Sequence, residues 1–318
     1  MRHISWLFLF CSCLAFIGCN NPSELKPQQG FVNVNGGKIW YRVTGSGNKT
    51  PVLLVHGGPG FTSYYLNPLL KLSKERPVIM FDLLGCGRSD KITDTLLFTH
   101  QEQVKEIQQL LAHLKVENFY LYGHSCGAAL ATEYYLKHPQ GIKGLVLASP
   151  FLSAKLWRQD ADSLIADMPM PARLILQRTL NGFQRDTATF KGAINVYYDM
   201  YYERVHPLSA DVDSAIATAS KPMGDYMWGT NDLYPTGSLA TYERTTKLRQ
   251  ITVPLLFVAG QFDAARPATV RYYQSLVPGS DFALIPNASH TTMHDNPNAD
   301  VAVLTKFFRQ LDEKKSGK

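Results

Sequence analysis

Cysteine is scarce in this chain, with five among 318 residues. Cys11, Cys13 and Cys19 belong to the extreme N-terminus, and only Cys86 and Cys126 remain beyond it. Both of these sit inside glycine-containing motifs, which argues against a disulfide framework. No spacing of His and Cys suits a metal ion, so no metal and no cofactor is expected. Basic residues form no run until Lys314-Lys315, and the net charge of +6 is interspersed along the chain. That distribution excludes a nucleic-acid surface, which needs concentrated positive charge.

The apolar stretch 4–17 is too short for a comfortable membrane span. Preceded by Met1-Arg2-His3, it has the length of a secretory signal core. It runs into Ala15-Phe16-Ile17-Gly18-Cys19, which resembles a lipoprotein cleavage box, with Phe16 where an aliphatic residue is usual. The expectation is a signal peptide over 1–18 and lipid attachment at Cys19, holding the protein in the cell envelope. Ordinary secretion, with Cys19 a bystander, is the alternative. Residues 19–30, polar with two prolines, read as a tether.

The chain is 45% hydrophobic overall, enough for one large core or two modest domains. Phe31-Val32-Asn33-Val34, Asn35-Gly36-Gly37 and residues 38–43 read as a hairpin around a glycine turn. Short apolar runs then recur at 52–55, 78–81, 119–122, 144–148, 255–259 and 282–285. They are continuous rather than alternating, as strands buried on both faces are. Thr99 and Glu102 form a capping box ahead of Val104, Ile107, Leu111 and Leu114 at helical spacing. A second helix over 130–137 stops at Pro139. Strands alternating with helices predict an α/β fold with a mainly parallel, doubly wound sheet. From 151 to 238 the strand pattern disappears and Leu164-Ile165, Leu174-Ile175-Leu176 and 194–202 suggest helices. That segment is expected to be a helical lid, with 31–150 and 239–318 forming the core; a plain helical extension is the alternative.

The chemistry concentrates in Gly123-His124-Ser125-Cys126-Gly127. A buried strand precedes this G-x-S-x-G and a helix opening on small residues comes after it, the context of a nucleophile elbow. Ser125 is the expected nucleophile. Its hydroxyl needs a base, and the base an orienting carboxylate, in the chain order Ser, Asp, His. Asp263 and His290 satisfy that order, each just past an apolar run, and so share a rim with Ser125. His124 and His294 are competing bases. At an elbow His124 points away from the nucleophile, and His294 lies deeper in the next segment. An oxyanion also needs donors. Cys126, next after the nucleophile, supplies one backbone N–H, and the glycines of His56-Gly57-Gly58-Pro59-Gly60 let a second approach. A phosphate loop fails as a reading of these glycines because no Lys-Ser/Thr comes after them.

His56-Gly57-Gly58-Pro59-Gly60, Asp82-Leu83-Leu84-Gly85-Cys86-Gly87-Arg88-Ser89 and the elbow together resemble the proline iminopeptidase family of α/β-hydrolase serine peptidases. The likeness continues through Gly229-Thr230-Asn231-Asp232, Gly260-Gln261-Phe262-Asp263 and Ser289-His290-Thr291-Thr292-Met293. It implies the α/β-hydrolase fold, Gly58 as the second oxyanion donor, and release of an N-terminal residue, often proline, from small peptides or amino-acid amides. It also implies acids beneath the lid that pair with the substrate ammonium, a charge costly to bury alone. Asp232 stands where the family tends to carry Glu. Where a second acid commonly follows the catalytic Asp, this chain has Ala264, with Arg266 two further on. Glu203 or Asp225 would have to compensate. The departure keeps a second function open, an esterase, amidase or lactonase for an uncharged small substrate. Epoxide and haloalkane chemistry is disfavoured, because those relatives carry Asp at the position of Ser125. A binding protein without activity is a third class, against which the intact triad argues.

Overall fold

The computed structural model describes residues 24–180 and 187–316. The expected signal segment 1–18, Cys19 and the start of the tether lie outside the described residues. An antiparallel hairpin leads the fold, β1 (Gln28–Val34) and β2 (Gly37–Thr44). It starts earlier than the sequence suggests. Gln28 already pairs with Val43 and Leu25 bridges to Gly47, so the last part of the expected tether is tied to the sheet.

Next come β3 (Val52–Val55), β4 (Val78–Phe81), α1 (His100–His113), β5 (Phe119–His124), α2 (Cys126–Lys137) and β6 (Ile142–Ala148). The chain then leaves the sheet for α3 (Ala154–Ala166), α4 (Met170–Leu180), α5 (Thr187–Tyr201), α6 (Ala210–Ala217) and α7 (Lys221–Met227). It returns through β7 (Leu255–Gly260), α8 (Pro267–Ser275), β8 (Asp281–Ile285), α9 (Thr292–Asp295) and α10 (Pro297–Ser316). One 8-stranded sheet results, ordered β1-β2-β4-β3-β5-β6-β7-β8 and parallel from β4 to β8. Among the described residues no helix is long and apolar enough to cross a membrane.

Continuous apolar runs make central strands because alternate side chains feed two cores. Leu53, Val55, Ile79, Phe81, Phe119 and Leu121 face one layer, which extends into the helices between β6 and β7. Val52, Leu54, Val78, Met80, Tyr120 and Tyr122 face the other, against α10 and a 3-10 helix over Ser63–Lys74. The α1 cap is half the expected box. Thr99 Oγ1 accepts from Glu102 N–H at 3.3 Å, but the Glu102 carboxylate goes to Asn35 and Lys105 instead.

The segment after β4 is held by Asp82, whose side chain is fully buried. It accepts from Ser63 N–H (2.8 Å), Ser63 Oγ (2.7 Å), Arg88 N–H (3.0 Å) and Arg88 Nε (2.7 Å). Burial opposes its charge, yet the hydrogen bonds and charge of Arg88 outweigh that and hold the carboxyl below its usual range. Arg88 in turn stacks over Trp40, 3.3 Å from the ring centroid. Asp82→Ala strands these donors and is expected to cost about 3 kcal/mol in urea denaturation at neutral pH, the low end for a buried pair because Arg88 keeps 21% exposure. A depressed folded-state pKa means that this stability is complete above the unfolded pKa of ~4. It fades as pH falls through the folded value.

Candidate active site

Ser125 sits between β5 and α2 at φ 56° and ψ −123°, a conformation that costs on the order of 1–3 kcal/mol and survives only where its surroundings impose it. They do. A Cβ on Gly123 would lie 2.3 Å from the Gly127 carbonyl oxygen, and one on Gly127 would lie 2.3 Å from that of Val55. Only glycine permits the strand and helix to approach so closely. Ser125 N–H donates to the Ala148 carbonyl at 2.9 Å, and the Ser125 carbonyl accepts from Phe151 N–H at 3.2 Å, so the end of β6 and the loop after it clamp the turn.

Asp263 and His290 come from the loops after β7 and β8, as their positions in the chain predict. His290 Nδ1 lies 2.8 Å from Asp263 Oδ1, and both side chains are almost completely buried. Both carboxylate oxygens carry further bonds. Oδ1 also accepts from Ala265 N–H at 2.8 Å, while Oδ2 accepts from Gly260 N–H at 3.0 Å and Ser149 Oγ at 2.6 Å. A carboxylate so held fixes the imidazole with its proton on Nδ1 and leaves Nε2 unprotonated. The His290 ring is enclosed by Trp157, Tyr202 and His124, with centroids 5.6, 4.9 and 4.9 Å away.

The competing histidines have structural tasks. His124 Nε2 donates to the His290 carbonyl at 2.8 Å, and its Nδ1 accepts from Tyr65 OH at 2.9 Å. Burial lowers its pKa to about 3, so it stays neutral. Tyr65 OH accepts in turn from Gly57 N–H at 2.7 Å. One relay therefore connects the glycine loop, the elbow and the His290 loop. His294 binds the Tyr65 carbonyl at 2.7 Å and Ser209 Oγ at 3.2 Å. Cys126 opens α2, whose first turn offers unpaired N–H groups beside Ser125. Its thiol is buried and pushed up in pKa, which keeps it protonated and inert.

Gly58, Ser125, Trp157, Tyr202, Trp228 and Asp232 line a cavity of about 630 Å³. Asp232 is exposed and borders this cavity on the turn after α7. Glu203 does not line it. The chain leaving α5 folds under the His290 loop and buries Glu203, where its Oε2 accepts from Thr291 Oγ1 at 3.1 Å. Burial raises its pKa to about 7, so it is unsuited to holding an ammonium ion. Ala264 is buried, its N–H bonded to the Tyr201 carbonyl at 3.0 Å. The charge of Arg266 faces Asp160 of α3, which also accepts from Thr269 Oγ1 at 2.7 Å; neither Arg266 nor Asp160 borders the cavity. Among the described residues no group of three or more His, Cys, Asp or Glu side chains could hold a metal ion.

Sequence reasoning passes over Ser149, Tyr65 and Asp160. The only local signal is the position of Ser149 at the end of β6, on the same rim as the other loops.

Residues 50–297 match the family model described as the alpha/beta hydrolase fold. A proline iminopeptidase of Heyndrickxia coagulans is 34% identical, covering 89% of this chain and 99% of its own. One from Lactiplantibacillus plantarum is also 34% identical, covering 87% and 99%. Among solved structures, the proline iminopeptidase of Mycobacterium smegmatis superposes with a TM-score of 0.86 at 26% identity, covering 91% of this chain and all 100% of that one. VinJ superposes with a TM-score of 0.84 at 29% identity, covering 90% and 100%. Esterases are structurally more distant, as in one from Thermogutta terrifontis with a TM-score of 0.62 at 22% identity. With a serine elbow, a buried Asp–His pair and kinship along nearly its whole described length, the chain belongs to the proline iminopeptidase family of α/β hydrolases.

Proposed function

We propose that this protein releases an N-terminal residue, proline or one of similar shape, from small peptides or amino-acid amides through an acyl-enzyme. The observation that carries the reading is the 2.8 Å contact of Asp263 with His290 beside a serine held at φ 56°. In this reading His290 Nε2 takes the Ser125 proton as Oγ attacks the scissile carbonyl. The N–H groups of Gly58 and Cys126 receive the oxyanion. The imidazolium then gives its proton to the departing amine. Water, activated by the same His290, hydrolyses the ester to free Ser125.

Aromatic walls at Trp157, Tyr198, Tyr202 and Trp228 suit a compact apolar ring at the acyl position. Asp232 is the acid assigned to the substrate ammonium. Losing Glu203 from this role, together with Ala264 in place of an acid, supports the second reading, a hydrolase for an uncharged ester or amide, whereas Asp225, which lines the cavity and pairs with Lys221, is the acid left to compensate. One substrate set separates them. Proline arylamide is expected to be cleaved far faster than its N-acetylated form or a short acyl ester. Asp232→Ala is expected to raise KM for the arylamide about tenfold, with kcat little changed, as for loss of one exposed charge pair assisted by desolvation. Preference for the acetylated or ester substrate would replace the aminopeptidase reading with the second one.

A further inference from the structure

A carboxylate on an exposed turn is a weak anchor for an ammonium ion, because holding the pair in one geometry costs conformational freedom. The turn that carries Asp232 is fixed from within and from outside. Asn231 Oδ1 accepts from Leu233 N–H at 2.9 Å and from Tyr234 N–H at 3.1 Å, an Asx turn around the acid. Two indoles then reach the turn from different helices. Trp228, at the C-terminal cap of α7, donates its Nε1–H to the Asn231 carbonyl at 2.8 Å, and Trp157 of α3 donates to the Leu233 carbonyl at 3.0 Å. Tyr198 OH of α5 donates to the carbonyl between them, that of Asp232 itself, at 3.4 Å, the longest of the three.

A buried indole N–H needs an acceptor, and any carbonyl would satisfy it. Here the acceptors are three successive carbonyls centred on Asp232, and each donor belongs to a ring that walls the cavity. Trp157, only 4% exposed, also packs edge-to-face with the Trp228 ring at 6.0 Å between centroids and with the His290 ring at 5.6 Å. The acid, the cavity wall and His290 therefore share one bonded frame. A turn fixed before the substrate arrives takes the ordering cost out of binding. We propose that Trp157 and Trp228 are positioning residues, whose indole N–H groups set the carboxylate of Asp232 for the substrate ammonium. This assignment rests on the aminopeptidase reading above.

The test is a double-mutant cycle on KM for proline arylamide, combining Trp228→Phe with Asp232→Ala. Phenylalanine keeps an aromatic ring in the wall and removes the N–H. Beside an intact Asp232 it is expected to raise KM about fivefold, and in the Asp232→Ala protein, where no carboxylate is left to position, less than about twofold. Independent effects would multiply in the double variant to about fiftyfold over the wild type, and that result overturns the assignment. So does an unchanged KM in Trp228→Phe alone. Trp157→Phe is expected to behave alike in the same cycle, and it decides the question if Trp228→Phe does not fold, judged by its thermal midpoint. If Asp232→Ala leaves KM unchanged in an enzyme that releases proline, this assignment falls and the aminopeptidase reading stands. If the wild type cleaves no prolyl substrate, that reading fails and takes this assignment with it.

Discussion

Ser125→Ala is expected to lower kcat/KM by about 10⁵-fold or more while leaving the fold intact, judged by an unchanged thermal midpoint. The size of the effect reflects the loss of covalent catalysis, since no neighbour can substitute. The thiol of Cys126 is the nearest rival nucleophile, and burial keeps it protonated. Preservation of the fold rests on the elbow itself. Alanine meets the same strain at φ 56° as serine does, and the close approaches belong to Gly123 and Gly127. A fluorophosphonate probe should therefore label the wild type and not the variant. Failure to label the folded wild type would remove Ser125 from the role of nucleophile.

Asp263→Asn is expected to lower kcat by about 10⁴-fold with little change in KM. An amide at this position turns an N–H₂ group toward either His290 Nδ1 or the donors Ser149 and Gly260. Presented to His290, it favours the tautomer protonated on Nε2, which cannot accept the serine proton. Presented to Oδ2's partners, it sets donor against donor with Gly260 N–H, 3.0 Å away. Steady-state kinetics and a melting curve decide the point. A tenfold or smaller loss in kcat, or a rise in KM matching the loss of kcat/KM, would make Asp263 a structural residue only.

Legibility in the sequence tracks how local each feature is. Ser125, Asp263 and His290 are readable because each directly follows an apolar strand, and a parallel sheet carries all such loops to one rim. Recognising the central strands needs only their continuous burial. Tyr65 and Asp160 are not readable, because they act across long gaps in sequence, Tyr65 on His124 and Asp160 on Thr269. The expectation for Glu203 fails for a related reason. Its helix, α5, can be foreseen from residues 194–202, but the direction in which the chain leaves that helix depends on packing against the His290 loop. The 3-10 helix over Ser63–Lys74 carries Pro68 within it and lacks a side-chain cap, so neither period nor start signal announces it. The capping box of α1 is half right, because Glu102 has better partners outside its own helix.

The end of α5 changes what counts as a unit in this protein. The Tyr201 carbonyl accepts from both Ala264 N–H (3.0 Å) and His290 N–H (3.1 Å), and the Tyr202 carbonyl accepts from Thr291 N–H (2.9 Å). By chain order these tyrosines belong to the helices between β6 and β7, but by bonding they are a brace beneath His290 and Asp263. Any hinge that swung α5 outward would unseat His290. For the recombination of parts between relatives, the seam therefore does not coincide with the points where the chain leaves and rejoins the sheet. A donor segment grafted onto this sheet must bring two main-chain carbonyls to the same place, or the Asp263–His290 pair beneath it loses its footing.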